Sequence, residues 1–219
     1  MKKAIPLNLF GFRSVRLQFL LAGLGLLLAG ISARGTSVIP PSFDQLVNTS
    51  DYVIRGVVKS VNSEFRTTAS GGRKIFTKVA IEVSEVLAGT PPAEVVLEFL
   101  GGQVGEAKMI VHGSPQLKVG DEDILFVSGN RTNLCPLNRM QHGRFSIARD
   151  ATSKRPYVAR ANGVPLQSTA EIAVPMAEGS AAELQRKMVD TSSALSPDDF
   201  ARKIKAAINP NYVDDATTR

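Results

Sequence analysis

The sequence predicts a mainly β protein, a small closed antiparallel barrel with a β extension, followed by C-terminal helices. Three observations carry that expectation. Stretches of apolar/polar alternation recur between residues 52 and 129, separated by turns rich in Gly and Pro. A glycine, Gly56, interrupts the first of these stretches, as suits a sharp bend in a barrel wall. Helical spacing dominates only after residue 175.

The chain opens on a different pattern. Residues 1–16 carry Lys2, Lys3, Arg13 and Arg16 and no acid; residues 17–33, LQFLLAGLGLLLAGISA, carry no charge. A basic start, an apolar run and small residues at its end form an export signal, assigned to residues 1–35. Two cleavage frames fit, after Ala33 or after Gly35. The alternative is a retained membrane anchor, although this run sits at the short edge of the spanning range. With no cysteine directly following it, the run offers no site for a lipoprotein anchor. The segment also accounts for the charge. Residues 1–35 hold five bases and no acid, so +5 of the formal +6 belongs to them and +1 remains. A strongly basic polyanion binder is not supported.

Residues 41–51, PSFDQLVNTSD, predict a short helix capped by Ser42, with Phe43, Leu46 and Val47 on one face. The first strand spans 52–62, with Tyr52, Ile54, Gly56, Val58 and Ser60 inward and the face bearing Arg55 and Lys59 outward. TTASGGR, residues 67–73, is a turn. In the next strand Ile75, Thr77, Val79, Ile81 and Val83 face a core, and the phase slips at Val86–Leu87, a bulge or strand end. GTPP, residues 89–92, stops it. Val95, Leu97 and Phe99 line a third strand closed by Gly101–Gly102, and a fourth is expected over 106–112. Residues 113–121 form a loop with two apolar plugs, Leu117 and Val119. The nearly continuous apolar run over 123–129 marks a central or doubly covered strand. Weaker extended segments fall at 133–137, 143–148 and 155–159.

Residues 36–160 thus form the barrel with its extension, and 161–219 a linker and helical tail. Residues 181–190 have helical spacing through Leu184, Met188 and Val189. Ser196–Pro197–Asp198–Asp199 is a helix start, with Ser196 as cap, Pro197 in the first turn and two acids at the positive end of the dipole. Phe200, Ile204, Ala207 and Ile208 make one stripe, ended by Asn209–Pro210. The stripe is expected to dock on the barrel of the same chain; a second protein is the alternative.

Chemical groups are sparse. Cys135 is the sole cysteine, which excludes an internal disulfide and a zinc site of several thiolates. Its expected role is a buried structural thiol, with intermolecular pairing as the alternative. A Cys–His catalytic pair or a Cys135–His112–His142 metal site requires these residues to meet in space, for which the spacing gives no sign. HExxH, GxSxG and GxxxxGK do not occur. Gly101, Gly102 and Gly105 serve tight turning. Asp121, Glu122 and Asp123 are expected in a solvated turn, and Arg139, His142, Arg144, Arg149, Lys154 and Arg155 on an ordinary basic face. No catalytic, cofactor-binding or metal residue is assigned, and no cofactor.

Three stretches carry a family resemblance: FDQLVNTSDYVIRGVVKSV at 43–61, VAIEVSEVLAG at 79–89 and LKVGDEDILFVSG at 117–129. They resemble a group of uncharacterised exported bacterial proteins and, more distantly, the netrin-like domain of tissue inhibitors of metalloproteinases. The resemblance covers 43–129 and extends weakly to 150. It implies an OB-like antiparallel barrel. Members of that wider family chelate a protease zinc through an N-terminal cysteine and hold several disulfides; neither proposed mature start is Cys, and Cys135 supplies neither feature. No inhibitory residue carries across.

The expected function is an exported, non-catalytic protein-interaction domain, periplasmic or secreted, whose partner is another exported or envelope protein. One alternative is a modulator or inhibitor of a secreted metalloprotease, touching it through residues 62–74 or 102–119. The other is a single-stranded nucleic-acid-binding OB domain, with Phe65, Phe76, Phe99 and Phe145 as stacking candidates. Export and the +1 mature charge oppose the latter, so no nucleic-acid partner is expected. Membrane contact is expected only during export or through a retained anchor.

Overall fold

A computed structural model describes residues 39–68 and 71–212; the export segment and both cleavage frames lie outside the described residues. Helix α1, Phe43–Asn48, begins with a reciprocal cap: the Ser42 hydroxyl accepts from the Gln45 N–H and the Gln45 side chain accepts from the Ser42 N–H. It delivers Leu46 and Val47 to the core. Then come β1, Tyr52–Thr67, and β2, Arg73–Gly89, a long antiparallel ribbon, and β3, Val95–Leu100. A small hairpin, β4 at Gly102–Val104 and β5 at Ala107–Met109, precedes β6, Glu122–Val127. β7, Arg144–Arg149, and β8, Pro156–Arg160, complete the sheet. Helices α2, Gly179–Met188, and α3, Pro197–Ile208, follow.

The main sheet has six antiparallel strands in the order β3-β2-β1-β6-β7-β8, and it is open. This corrects the expected closed OB-like barrel. The chain is a mixed α/β fold, and the OB-fold, netrin-like and inhibitor-like descriptions fall with the barrel. Two causes are visible. The segment expected as a fourth strand, 106–112, contributes only Ala107–Met109, folded back on β4 in a separate two-stranded sheet. Residues 133–137 contribute a single bridge, Leu137 to Val127, instead of a strand.

The two outer edges are covered by irregular chain. On β3, the Asn130 side-chain amide stands in for a strand: its Oδ1 accepts from the Glu98 N–H at 3.0 Å and its Nδ2 donates to the Val96 carbonyl at 2.9 Å. The Leu100 N–H donates to the Leu134 carbonyl beyond it. On β8, the Val158 N–H donates to Leu195, and the Val158 carbonyl accepts from Leu166. Backbone groups that closure would satisfy are thus satisfied locally.

Both faces of the sheet are packed. On one face α1 and α3 cover Val53, Ile124, Phe126, Phe145 and Val158. On the other, Ile54, Val58, Val79, Leu97, Phe99, Leu125 and Val127 pack with Leu117, Cys135 and Leu137 from the loops. β6 supplies alternate residues to each core, which explains its continuous apolar run. Val53, expected on the outward face of β1, is fully buried for the same reason. The phase slip in β2 falls at Leu87. Val53 pairs with Ala88 and Ile54 with Val86, so Leu87 is skipped and joins the helix-side core. Gly56 sits beside a second shift; a Cβ there would lie 2.6 Å from the Glu82 carbonyl oxygen, so the ribbon's close approach requires glycine.

The two C-terminal helices differ. Phe200 and Ile204 of α3 are fully buried, and Lys205 pairs with Glu85 while Asp198 pairs with Arg55, which also binds Glu122. Helix α3 thus docks on the main core through Phe200 and Ile204, as expected, with Ala207 partly buried against it; Ile208, the last residue of the expected stripe, is exposed. In α2 only Ala182 is buried; Leu184 and Met188 are exposed. Leu117 is buried as a plug, whereas Val119 is exposed.

Candidate functional site

The feature left open by the failed closure is a cleft of about 290 Å³ at the end of the sheet distant from α3's cap. Its floor is the inner face of the ribbon, Val61 and Ser63 of β1 with Thr77 and Val79 of β2, and Phe99 of β3. The β4–β5 hairpin and residues 110–117 form its other walls. A hydroxyl chain fixes the floor: Ser63 Oγ and Thr77 Oγ1 are 2.8 Å apart, and Thr77 Oγ1 donates to the Gly101 carbonyl at 2.6 Å. Gly102, at φ 136°, lies directly on those hydroxyls; a side chain there would collide with Thr77 Oγ1 and Ser63 Oγ.

The cleft lies where two chain segments part. β1 pairs with β6 from Tyr52↔Val127 to Val57↔Glu122. The Val58 N–H then donates to Asp121 and its carbonyl accepts from Gly120, both at 2.9 Å. Past this fork β1 runs on to Thr67 with β2 as its strand neighbour, while residues 114–117 form the opposing wall.

The residues singled out by chemistry are dispersed. Cys135 is buried in the core opposite the helices, and burial pushes its thiol up against the opposing pull of the Leu137 backbone and the Ser114 hydroxyl. Its side chain is one of the packed groups of that core. His142 lies among Phe145, Arg160 and Ile172, on the helix side of the sheet, and His112 is exposed. The three do not meet; among the described residues no cluster of metal-ligating side chains forms. Phe99 and Phe145 are core residues, while Phe76 and Phe65 carry the guanidinium groups of Arg66 and Arg73 on their rings at 3.8 and 4.3 Å.

The acidic cluster departs from expectation. Asp123 is fully buried, gripped by Arg144 through Nε to Oδ1 at 2.8 Å and Nη2 to Oδ2 at 3.2 Å. Arg144 also donates to Asp121 and to the Gln116 carbonyl. Arg144 therefore leaves the expected basic face and anchors the wall of the cleft to the sheet. Arg155 likewise turns inward, donating to the Thr191 and Ala194 carbonyls. No single motif marks the cleft; of the loops expected to touch a protease, 102–119 supplies most of its walls, while Ser63 is the one residue of 62–74 in its described lining.

His142 makes a pH prediction. Burial, then the nearby Arg160 charge, lower its pKa to about 4. The folded chain holds a neutral imidazole while the unfolded chain protonates near 6.5. The unfolded state binds more protons between these values, so stability is full above about pH 6.5 and falls as pH drops to about 4, by up to about 3 kcal/mol. In denaturant unfolding across this range, the stability of the wild type relative to His142→Leu should therefore fall as pH drops from about 6.5 to about 4.

No family model, curated protein or solved structure matches the chain. Among the described residues no helix is long and apolar enough to cross a membrane.

Proposed function

We propose that the chain is an exported, non-catalytic protein-interaction domain, acting in the periplasm or outside the cell on another exported or envelope protein. The supporting observation is the unclosed seam: a sheet packed on both faces holds an open cleft beside a long strand edge, while Cys135, His142 and Asp123 are absorbed into packing. Rigid elements carrying an open recognition surface suit binding. The protease-modulator and single-strand readings drew on a closed OB-type barrel, and the open sheet removes that motive.

The test is in-cell cross-linking through the cleft rim, followed by purification of the full chain under stringent washing. A single exported protein joined reproducibly to the cleft walls, Gly102–Gln103, Lys108–Val111 or Ser114–Leu117, is expected. Turnover that survives purification and maps to a side chain would overturn the non-catalytic reading. Processing is checked in the same preparation by intact mass and N-terminal sequencing: cleavage after Ala33 or Gly35 and release from the membrane are expected. Persistence of residues 17–33 in a membrane-bound product overturns cleavage in favour of the anchor.

A further inference from the structure

We propose that the free edge of β1 over residues 59–67 accepts an extended, acidic segment of the partner protein as an added strand, with one apolar side chain of that segment seated in the cleft. This rests on the interaction reading above and names its site and the chemistry of its ligand. The edge is long. Nine residues of β1 continue past the Val58 fork with β2 on one side only, about 30 Å of strand at ordinary rise. Such an edge is a template for pairing, and proteins commonly guard it with charge. Here the charges are spent within the sheet: Lys59 pairs with Glu82 and Glu64 with Lys78 across the ribbon, and Arg66 with Glu98 of β3.

The cleft supplies selectivity. In an added strand alternate side chains point to one face, and on the concave face they meet the wall of Val61, Val79, Phe99 and Leu117. Ile110, exposed at the rim, extends that apolar surface. The volume, about 290 Å³, suits a side chain or two and not a folded element. Charge selects the occupant. Among the described residues, Lys108 is the one charged residue in the lining, and no acid accompanies it there. Lys108 and, at the ribbon tip, Lys74 are exposed and make no ion pair with another described residue. An acidic segment complements them; a basic one does not.

The probe is a labelled peptide of about ten residues alternating Glu and Val, titrated into the full chain at low salt, beside three controls: a Lys–Val counterpart, a Glu–Val peptide N-methylated at alternate amides, and oligothymidylate. Saturable binding of the Glu–Val peptide alone is expected, with amide-exchange protection confined to residues 59–67. Lys74→Glu combined with Lys108→Glu should weaken it about tenfold and leave denaturant unfolding unchanged, since both side chains are solvent-exposed. No binding at submillimolar peptide, equal binding of the methylated or Lys–Val peptide, or stronger binding of oligothymidylate at the same residues would each overturn the proposal. If the cellular partner cross-links equally to wild type and to the doubly reversed chain, this edge is wrong while the interaction function stands.

Discussion

Phe200→Ala is expected to destabilise the chain by about 3–5 kcal/mol, the range for deleting a fully buried aromatic ring. Phe200 has no exposed surface and joins three other rings, with centroids 4.9 Å from Phe145, 6.0 Å from Phe43 and 6.2 Å from Phe126. It therefore ties α3 at once to α1, β6 and β7. The loss exceeds simple transfer from water because the surrounding rings, held on three separate elements, cannot all collapse into the space. Ile204, one turn on and equally buried, continues the contact. Urea unfolding of the monomer gives the magnitude, and amide exchange in Pro197–Ile208 tests whether the helix opens with the rest of the core. Leu184→Ala in α2 is the contrast: that side chain is 59% exposed, and its removal should stay within about 0.5 kcal/mol. A Phe200→Ala chain as stable as the wild type would mean that α3 is held by its rim ion pairs and not by its apolar stripe.

What could be read in advance and what could not divide along the range of the interactions. The cap at Ser42, the alternation of β2, the slip at Leu87 and the Ser196–Pro197 start of α3 are all decided within a few residues, and each left its mark in the local pattern. Closure was not local. A fourth strand is expected over 106–112, but the chain turns at Gly105 and folds Ala107–Met109 back on Gly102–Val104 as a separate hairpin. The edge of β3 is satisfied by the amide of Asn130, a single polar residue in a loop without periodicity. Alternation in β1 likewise misassigned Val53, because period-two reasoning presumes one wet face, and the start of β1 lies between two cores. The cleft follows from the same non-local choice: once 106–112 leaves the sheet, the distal edge of β1 has no strand to meet, and its floor remains open beneath the hairpin.

The buried ion pair is the sharpest case of a non-local determinant, and its removal is the second large effect. Asp121–Glu122–Asp123 reads as a solvated acidic turn, yet Asp123 is sealed from solvent by a partner twenty-one residues away, Arg144. Burial pushes the Asp123 carboxyl up, and the charge and hydrogen bonds of Arg144 draw it back. Arg144→Leu is expected to cost about 3–5 kcal/mol at neutral pH, because it strands a carboxylate in the sheet. Replacing both, Asp123→Leu with Arg144→Leu, should recover most of that loss, since two apolar side chains of similar bulk carry no desolvation cost. The pH dependence separates this from lost packing. Without Arg144 the folded-state pKa of Asp123 rises further above its unfolded value, so the folded chain binds the extra proton and stability is regained as pH falls towards the unfolded pKa. The deficit of Arg144→Leu relative to wild type should therefore shrink in mildly acidic buffer, with denaturant unfolding of both chains as the measurement. A deficit independent of pH, undiminished in the double variant, would assign the effect to the lost bonds from Arg144 to Asp121 and the Gln116 carbonyl, which hold the wall of the cleft.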